Sequence, residues 1–284
     1  MKVLVTGVNG QLGFDVCKEL DRRNIENKGI DRESCDITDE NAVSAYIKNY
    51  APDVVIHCAA YTAVDRAEDE KEVCYNVNVK GTEYIAKACK EIDAKMVYIS
   101  TDYVFEGAGD TAYEINDNAA PNNTYGLTKY QGEEAVKKIL SKYFIIRISW
   151  VFGINGNNFI NTMMKLGESR RELNVVADQI GSPTFTCDAA PLICDMAATE
   201  KYGLYHATNE GCCSWADLAE YIFSVTGQNI VVHHIKTEEY PAKALRPKNS
   251  RLSKASLDNA GFKRLPDWKD AVKRYIKEKS GQKI

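Results

Sequence analysis

An apolar, β-branched run, Lys2-Val3-Leu4-Val5-Thr6, leads without interruption into Gly7-Val8-Asn9-Gly10-Gln11-Leu12-Gly13, and helical periodicity takes over from Phe14 to Arg23. A strand, a turn with glycine at every third position and an amphipathic helix make the opening of a βαβ unit. Glycines at this spacing permit a tight turn and let the backbone approach an anion, whose charge then rests on the unpaired N–H groups and positive dipole end of the helix. Gly7, Gly10 and Gly13, with Asn9, Gln11 and Leu12 between them, are therefore the candidate cradle for the pyrophosphate of a dinucleotide.

The cycle repeats. Lys28-Gly29-Ile30 reads as a weak strand, Asp39 to Asn49 as a helix, Asp53 to Cys58 as a strand, Glu72 to Glu91 as a helix and Lys95 to Ser100 as the fourth strand. A helix from Tyr125 to Leu140 and a strand from Phe144 to Ser149 follow. Runs such as Val54-Val55-Ile56 and Met96-Val97-Tyr98-Ile99 suit strands buried on both faces, so the fold class is α/β, a Rossmann-type doubly wound parallel sheet. Beyond Trp150 the pattern weakens into a loop at Asn155 to Asn158, helices at Phe159 to Leu166, Cys187 to Thr199 and Ser214 to Val225, and strands at Leu173 to Ala177 and Leu204 to Ala207. Ser214 is the expected N-cap of its helix, with Asp217 as box partner. Residues 1–150 are expected to form the cofactor domain, with the chain returning to it around 183–209, and 151–284 mostly a smaller α/β substrate domain.

Composition narrows the partners. With 36 basic and 40 acidic residues the formal charge is −4, and no basic run offers the footprint nucleic acid needs. Nowhere do about 18 uncharged apolar residues occur together, and the start is too short in apolar residues for a signal peptide. Nine cysteines with no CxxC pair fit free thiols in a reducing cytoplasm. His57, His206, His233 and His234 lack metal spacing, so no metal site is expected.

Asp31, after the second strand, stands where a carboxylate accepts from the adenosine ribose of NADH. Arg32 beside it is equally placed to pair with the 2′-phosphate of NADPH, so the coenzyme stays open, and Asp36-Ile37 could hold the adenine edge. Tyr125 and Lys129 share one helical face. An ammonium there is expected to lower the phenol's pKa, making tyrosine a proton donor near neutrality, while the lysine also reaches the nicotinamide ribose. Thr101, at the carboxyl end of the fourth strand, is the candidate hydroxyl to polarise a substrate carbonyl.

Through Gly7 to Gly13, Ser100-Thr101-Asp102 and Tyr125-Gly126-Leu127-Thr128-Lys129 the chain resembles the extended short-chain dehydrogenase/reductase family. The blocks Ala59 to Glu68, Ser100 to Phe105, Ser149 to Gly153, Asp178 to Thr184 and Arg246-Pro247 narrow the resemblance to its dTDP-4-dehydrorhamnose reductase branch. That resemblance implies transfer of hydride from NADPH or NADH to the C4 ketone of dTDP-4-dehydro-L-rhamnose. It casts Tyr125 as proton donor, Lys129 as its partner and Thr101 as holder of the carbonyl oxygen. Val64, Asp102, Tyr103 and Trp150 match sugar-site positions, and Ala59, Ala60, Tyr61 and Asn78 match positions supporting the coenzyme and active-site water. A diphosphate needs local cations; Arg246 and Arg251 are the candidates. The resemblance also suggests magnesium and a homodimer. Two alternatives stay open: reduction of another nucleotide-linked 4-ketohexose, and a non-catalytic NADP-binding regulatory subunit, against which Thr101, Tyr125 and Lys129 argue.

Overall fold

In the computed structural model, which describes residues 1–281, strand and helix alternate through the first half of the chain. The elements there are β1 (Lys2–Thr6), α1 (Gln11–Arg22), β2 (Glu26–Ile30), α2 (Glu40–Tyr50), β3 (Val54–His57), the short helices α3 (Val64–Ala67) and α4 (Lys71–Tyr75), a π-helical segment (Asn76–Gly81), α5 (Thr82–Glu91), β4 (Lys95–Thr101), α6 (Thr124–Ile139) and β5 (Tyr143–Ile148). Shorter pieces follow: β6 (Val151–Phe152), α7 (Phe159–Ser169), β7 (Glu172–Val176), β8 (Ile180–Gly181), β9 (Thr184–Phe185), α8 (Thr186–Ala197), β10 (Gly203–His206), β11 (Cys213–Ser214), α9 (Trp215–Thr226), β12 (Val231–Ile235), β13 (Asn249–Ser250), α10 (Ala255–Ala260) and α11 (Trp268–Lys279).

Six strands pair in the order β10-β5-β4-β3-β1-β2, all parallel. Side chains alternate across the sheet. Val3, Val5, Val54 and Ile56 pack with residues of α1 and α8 on one face, while Leu4, Val55, Met96 and Tyr98 pack with those of α2, α5 and α6 on the other. Burial on both sides is why these strands read as unbroken apolar runs. After the excursion through 151–185, α8 lies against α1 and β10 joins the free edge of β5. Strand order reverses between β1 and β3, and ligands of open parallel sheets bind outside the carboxyl ends at such a switch point. A third core, containing Phe152, Phe185, Phe223, Trp268 and Tyr275, forms under α7, α9 and α11.

The helix expected from Glu72 to Glu91 forms without a break over 71–91, but it is not α-helical throughout. It widens into the π segment at Asn76–Gly81, where the Thr82 hydroxyl donates to the Asn78 carbonyl at 2.8 Å. One extra residue in the turn rotates Asn78 inward toward Tyr61 and Thr128, a substitution of register that periodicity does not reveal. The helix after the glycine turn starts at Gln11 rather than Phe14. Strands of two residues and the helices α10 and α11 carried no signal strong enough to place them. Ser214 does cap α9 in a reciprocal box with Asp217.

No helix among the described residues is long and apolar enough to cross a membrane. The nine cysteines are unpaired, and only Cys212 is exposed.

Candidate active site

The β1–α1 turn is built by backbone crowding. Gly7 has φ +71°, its N–H donates to Ile30 O at 2.9 Å, and a side chain there would lie 2.7 Å from Ala59 N. A Cβ on Gly13 would run into the carbonyl of Gly7, so helix and strand meet only because both positions are glycine. Helix α1 begins behind Gly10 with no side-chain cap and no acidic residue in its first turn. Its first N–H groups therefore remain available for an anion. These features fit a dinucleotide pyrophosphate.

From this turn a cleft of about 1040 Å³ runs along the carboxyl ends of the strands. One end is lined by Asp31, Arg32, Asp36 and Ile37, the middle by Asn9 to Gly13 and by Ala59 and Ala60, and the other end by Val64, Thr101, Asp102, Tyr103, Tyr125, Lys129 and Trp150. The Asp31 carboxylate accepts from Ser34 Oγ (2.7 Å), Ser34 N (2.9 Å) and Asn9 Nδ2 (2.8 Å), bonds that hold it below the usual carboxylate range. Arg32 is almost wholly exposed, with one 3.3 Å contact to Asp36. Gln11 turns away from the cradle: its Oε1 accepts from Gly153 N (2.8 Å) and Asn158 Nδ2 (3.0 Å), tying the 153–158 loop over the cleft, and Asn155 Nδ2 donates to Asn9 O.

Tyr125 and Lys129 lie one turn apart on α6, which the Asn123 side chain caps by accepting from Gly126 N. At Gly126 any Cβ would meet the Tyr103 carbonyl, and this absence lets α6 press onto the end of β4. Thr101 ends β4; its Oγ accepts from Tyr103 N at 3.2 Å and donates to Asp102 Oδ1 at 2.9 Å. Asp102 is buried, its Oδ2 has no partner, and burial pushes its carboxyl up to about 6. The Tyr103 and Tyr125 rings meet edge to face at 5.6 Å. Lys129 is buried with Nζ 4.0 Å from the centre of the Tyr98 ring, and burial lowers its pKa to about 7 against the opposing pull of Glu133.

One expectation is corrected here. The Tyr125 phenol is not acidified by Lys129: burial pushes it well above its ordinary value, and the Thr101 hydroxyl is the group that draws it back. Desolvation acts on both partners, raising the acid and lowering the base. The phenol thus stays protonated at neutral pH, the form a proton donor requires.

Four expected residues, Asn78, Tyr61, Arg246 and Arg251, stand off the cleft. Asn78 is spent internally, its Oδ1 accepting from Tyr61 N (2.8 Å) and its Nδ2 donating to Tyr61 O and Thr128 Oγ1 (both 3.1 Å). It therefore ties the 59–61 loop to α6. Tyr61 directs its hydroxyl to Glu70 at 2.6 Å. Arg246 forks onto Asp65 (2.7 and 3.1 Å), whose Oδ1 also accepts from the backbone of Lys243 and Ala244. Its guanidinium opposes the rise that burial imposes on the Tyr103 phenol, while Arg251 turns to Asn249. Asp65 was missed because a carboxylate in a short helix gives no signal of its distant arginine. Trp215 was missed too. It stacks on Trp150 at 3.7 Å, meets Phe159 and donates its Nε1 to Gln179, so that Trp150, held at φ +49°, presents a braced indole face. Among the described residues no group of three His, Cys, Asp or Glu side chains is placed to hold a metal ion.

A family profile described as the RmlD substrate binding domain matches residues 1–280. The spore coat polysaccharide biosynthesis protein SpsK of Bacillus subtilis is 40% identical, with 98% of each chain covered. A dTDP-4-dehydrorhamnose reductase of Aggregatibacter actinomycetemcomitans is 39% identical over 96% of this chain and 97% of its own. The crystal structure of dTDP-4-dehydrorhamnose reductase from Bacillus anthracis in complex with NADP superposes with a TM-score of 0.95 at 43% identity, covering 98% of this chain and 100% of that one. A glycine cradle at the switch point, a Tyr-x-x-x-Lys helix beside the end of β4 and full-length similarity lead to one assignment: the chain belongs to the RmlD substrate binding domain family, that of the dTDP-4-dehydrorhamnose reductases.

Proposed function

We propose that the protein reduces the C4 ketone of dTDP-4-dehydro-L-rhamnose to give dTDP-L-rhamnose, using NADPH. The observation that carries this reading is the meeting of Thr101, Tyr125 and Lys129 on the wall of the same cleft that begins at the glycine turn. When bound, the nicotinamide coenzyme supplies the hydride. Backbone N–H groups of the first turn of α1, Gln11 to Gly13, would hold its pyrophosphate, with Ala59 and Ala60 lining the opposite wall. The Asp31 carboxylate is already committed to Ser34 and Asn9, whereas the exposed Arg32, held by one long contact to Asp36, can turn to meet a 2′-phosphate. This favours NADPH over NADH.

As negative charge develops on the C4 oxygen, the Tyr125 O–H bond breaks and its proton moves to that oxygen. Thr101 Oγ, released from Asp102, donates a hydrogen bond to the same atom. The Lys129 ammonium then faces the phenolate and lowers the cost of its charge, in a site where water does not screen it. Trp150 and Val64 flank the sugar, Asp102 and Tyr103 contact it, and Arg246 meets the diphosphate at the rim in competition with Asp65.

Division of labour follows the sheet. Residues 1–150 together with α8 and β10 carry the coenzyme, and most of 151–284, of which 282–284 lie outside the described residues, carries the nucleotide sugar. We infer a homodimer working in the cytoplasm, a compartment that suits nine free thiols. Purified protein given the 4-ketosugar nucleotide should consume reduced coenzyme, faster with NADPH than NADH. A regulatory subunit would bind coenzyme and consume none.

A further inference from the structure

Behind the Tyr125–Lys129 face lies a charged group that the reaction scheme leaves unused. Glu133, fully buried, stands one turn beyond Lys129 on the same side of α6. Its carboxylate accepts from Arg147 Nε (2.8 Å) and Nη2 (2.7 Å) on β5, and from Ser100 Oγ (2.6 Å) on β4. Arg147 is buried as well, its guanidinium 4.8 Å from the Phe105 ring centre and its Nη1 3.4 Å from His206 Nε2. A buried ion pair is a poor source of net stability, since packed apolar side chains of like volume often do as well or better. Its place is more telling than its strength. Ser100 directly precedes Thr101, so a single carboxylate joins the strand end bearing the hydroxyl to the helix bearing the phenol and the amine.

We propose that Glu133 is a positioning residue for the reaction: clamped between Arg147 and Ser100, it fixes the Tyr125–Lys129 face of α6 against the Thr101 end of β4 and presents Lys129 with a negative charge one helical turn away. The other titratable groups facing Lys129 supply no such charge. From β3, His57 is driven down to about 3 by burial and stays neutral, and Cys58 just after that strand is raised by burial. From α4, Cys74 is raised likewise, and from β4, Tyr98 keeps its proton. On α6 itself Tyr125 is protonated and Glu133 is the anion that opposes the loss of the lysine's proton.

The test begins without substrate. Lys129 is titrated in the free protein by carbon NMR of its Cε, assigned with Lys129→Met, in wild type and in the double variant E133Q/R147M, which removes both members of the buried ion pair together. The double variant should melt close to wild type and bind NADPH with similar affinity, while Lys129 titrates about one pH unit lower. The second readout rests on the ketoreductase reading: kcat should fall, with its alkaline limb displaced to lower pH by the same amount, and KM for coenzyme should barely change. Ser100→Ala, which keeps the ion pair and removes one hydroxyl, should lower kcat about tenfold or more without moving that limb, because only the alignment of Thr101 is lost. A folded double variant whose Lys129 titrates as in wild type overturns the proposal. If that variant does not fold, Ser100→Ala with wild-type kcat overturns it. A wild-type protein inert toward the ketosugar would refute the reaction instead, and the NMR titration would still decide the role of Glu133.

Discussion

Replacing Gly13 with alanine probes the coenzyme cradle more sharply than any loss of a functional group. The new methyl would overlap the Gly7 carbonyl oxygen and lie 2.8 Å from Gly7 C and 3.1 Å from Val8 Cα, all backbone atoms that have no rotamer to yield. Gly7 is itself pinned, with φ +71° and its N–H bonded to Ile30 O. Relief therefore requires the turn to open or α1 to withdraw, an overpacking cost of about 1–3 kcal/mol. If this falls on the bound state, NADPH affinity drops about 5- to 150-fold. Gly10 is the internal control, for its Cβ would have one neighbour, Gly7 O, at 3.2 Å, so Gly10→Ala should cost less than about tenfold. Quenching of tryptophan fluorescence by NADPH gives the affinities, and thermal melts without ligand show how much of the cost falls on the fold. Wild-type affinity and melting in Gly13→Ala, or a larger defect in Gly10→Ala, would refute the reasoning.

Other perturbations separate chemistry from packing. Tyr125→Phe should lower kcat by about 10²- to 10⁴-fold while leaving NADPH affinity nearly unchanged, as steady-state kinetics and a binding titration will show. Asp102→Asn should stabilise the free protein at pH 8 and not at pH 4. The folded pKa of about 6 lies above the ordinary 3.8, so the carboxyl's contribution to stability is complete below 3.8 and is lost as pH rises through 6. Melting curves at the two pH values measure this, and an equal shift at both would contradict the burial argument. Trp215→Ala should raise KM for the nucleotide sugar more than KM for coenzyme, since it removes the brace behind Trp150. Arg147→Met alone leaves the buried Glu133 with only Lys137, at 3.8 Å, in place of its two-pronged arginine partner and should cost about 3–5 kcal/mol in denaturant unfolding, far more than the balanced double variant.

The parallel sheet was legible because residues such as Val54, Val55 and Ile56 are buried on both faces and must all be apolar. The glycine turn was legible because steric exclusion at Gly7 and Gly13 leaves no other residue type. Tyr125 and Lys129 were found from helical spacing, which sequence states directly. What sequence withheld depends on distant partners. The Arg246–Asp65 fork spans 181 positions, the Trp150–Trp215 stack joins separate elements, and the π segment that turns Asn78 inward leaves no trace in the period of the helix. The phenol's pKa was misjudged for a related reason: proximity of an amine is visible in spacing, but the desolvation that outweighs it is a property of the folded cleft.

The reaction proposed for the cleft delivers hydride to one carbon of a nucleotide-linked sugar. Incubating the protein with the 4-ketosugar nucleotide and coenzyme deuterated at the transferable position, then reading the product by NMR, tests it most directly. Deuterium at C4 of the hexose, appearing at a rate that collapses in Tyr125→Phe, is the predicted result. Deuterium at another carbon, none at all, or label transferred equally fast by the phenylalanine variant would contradict the account.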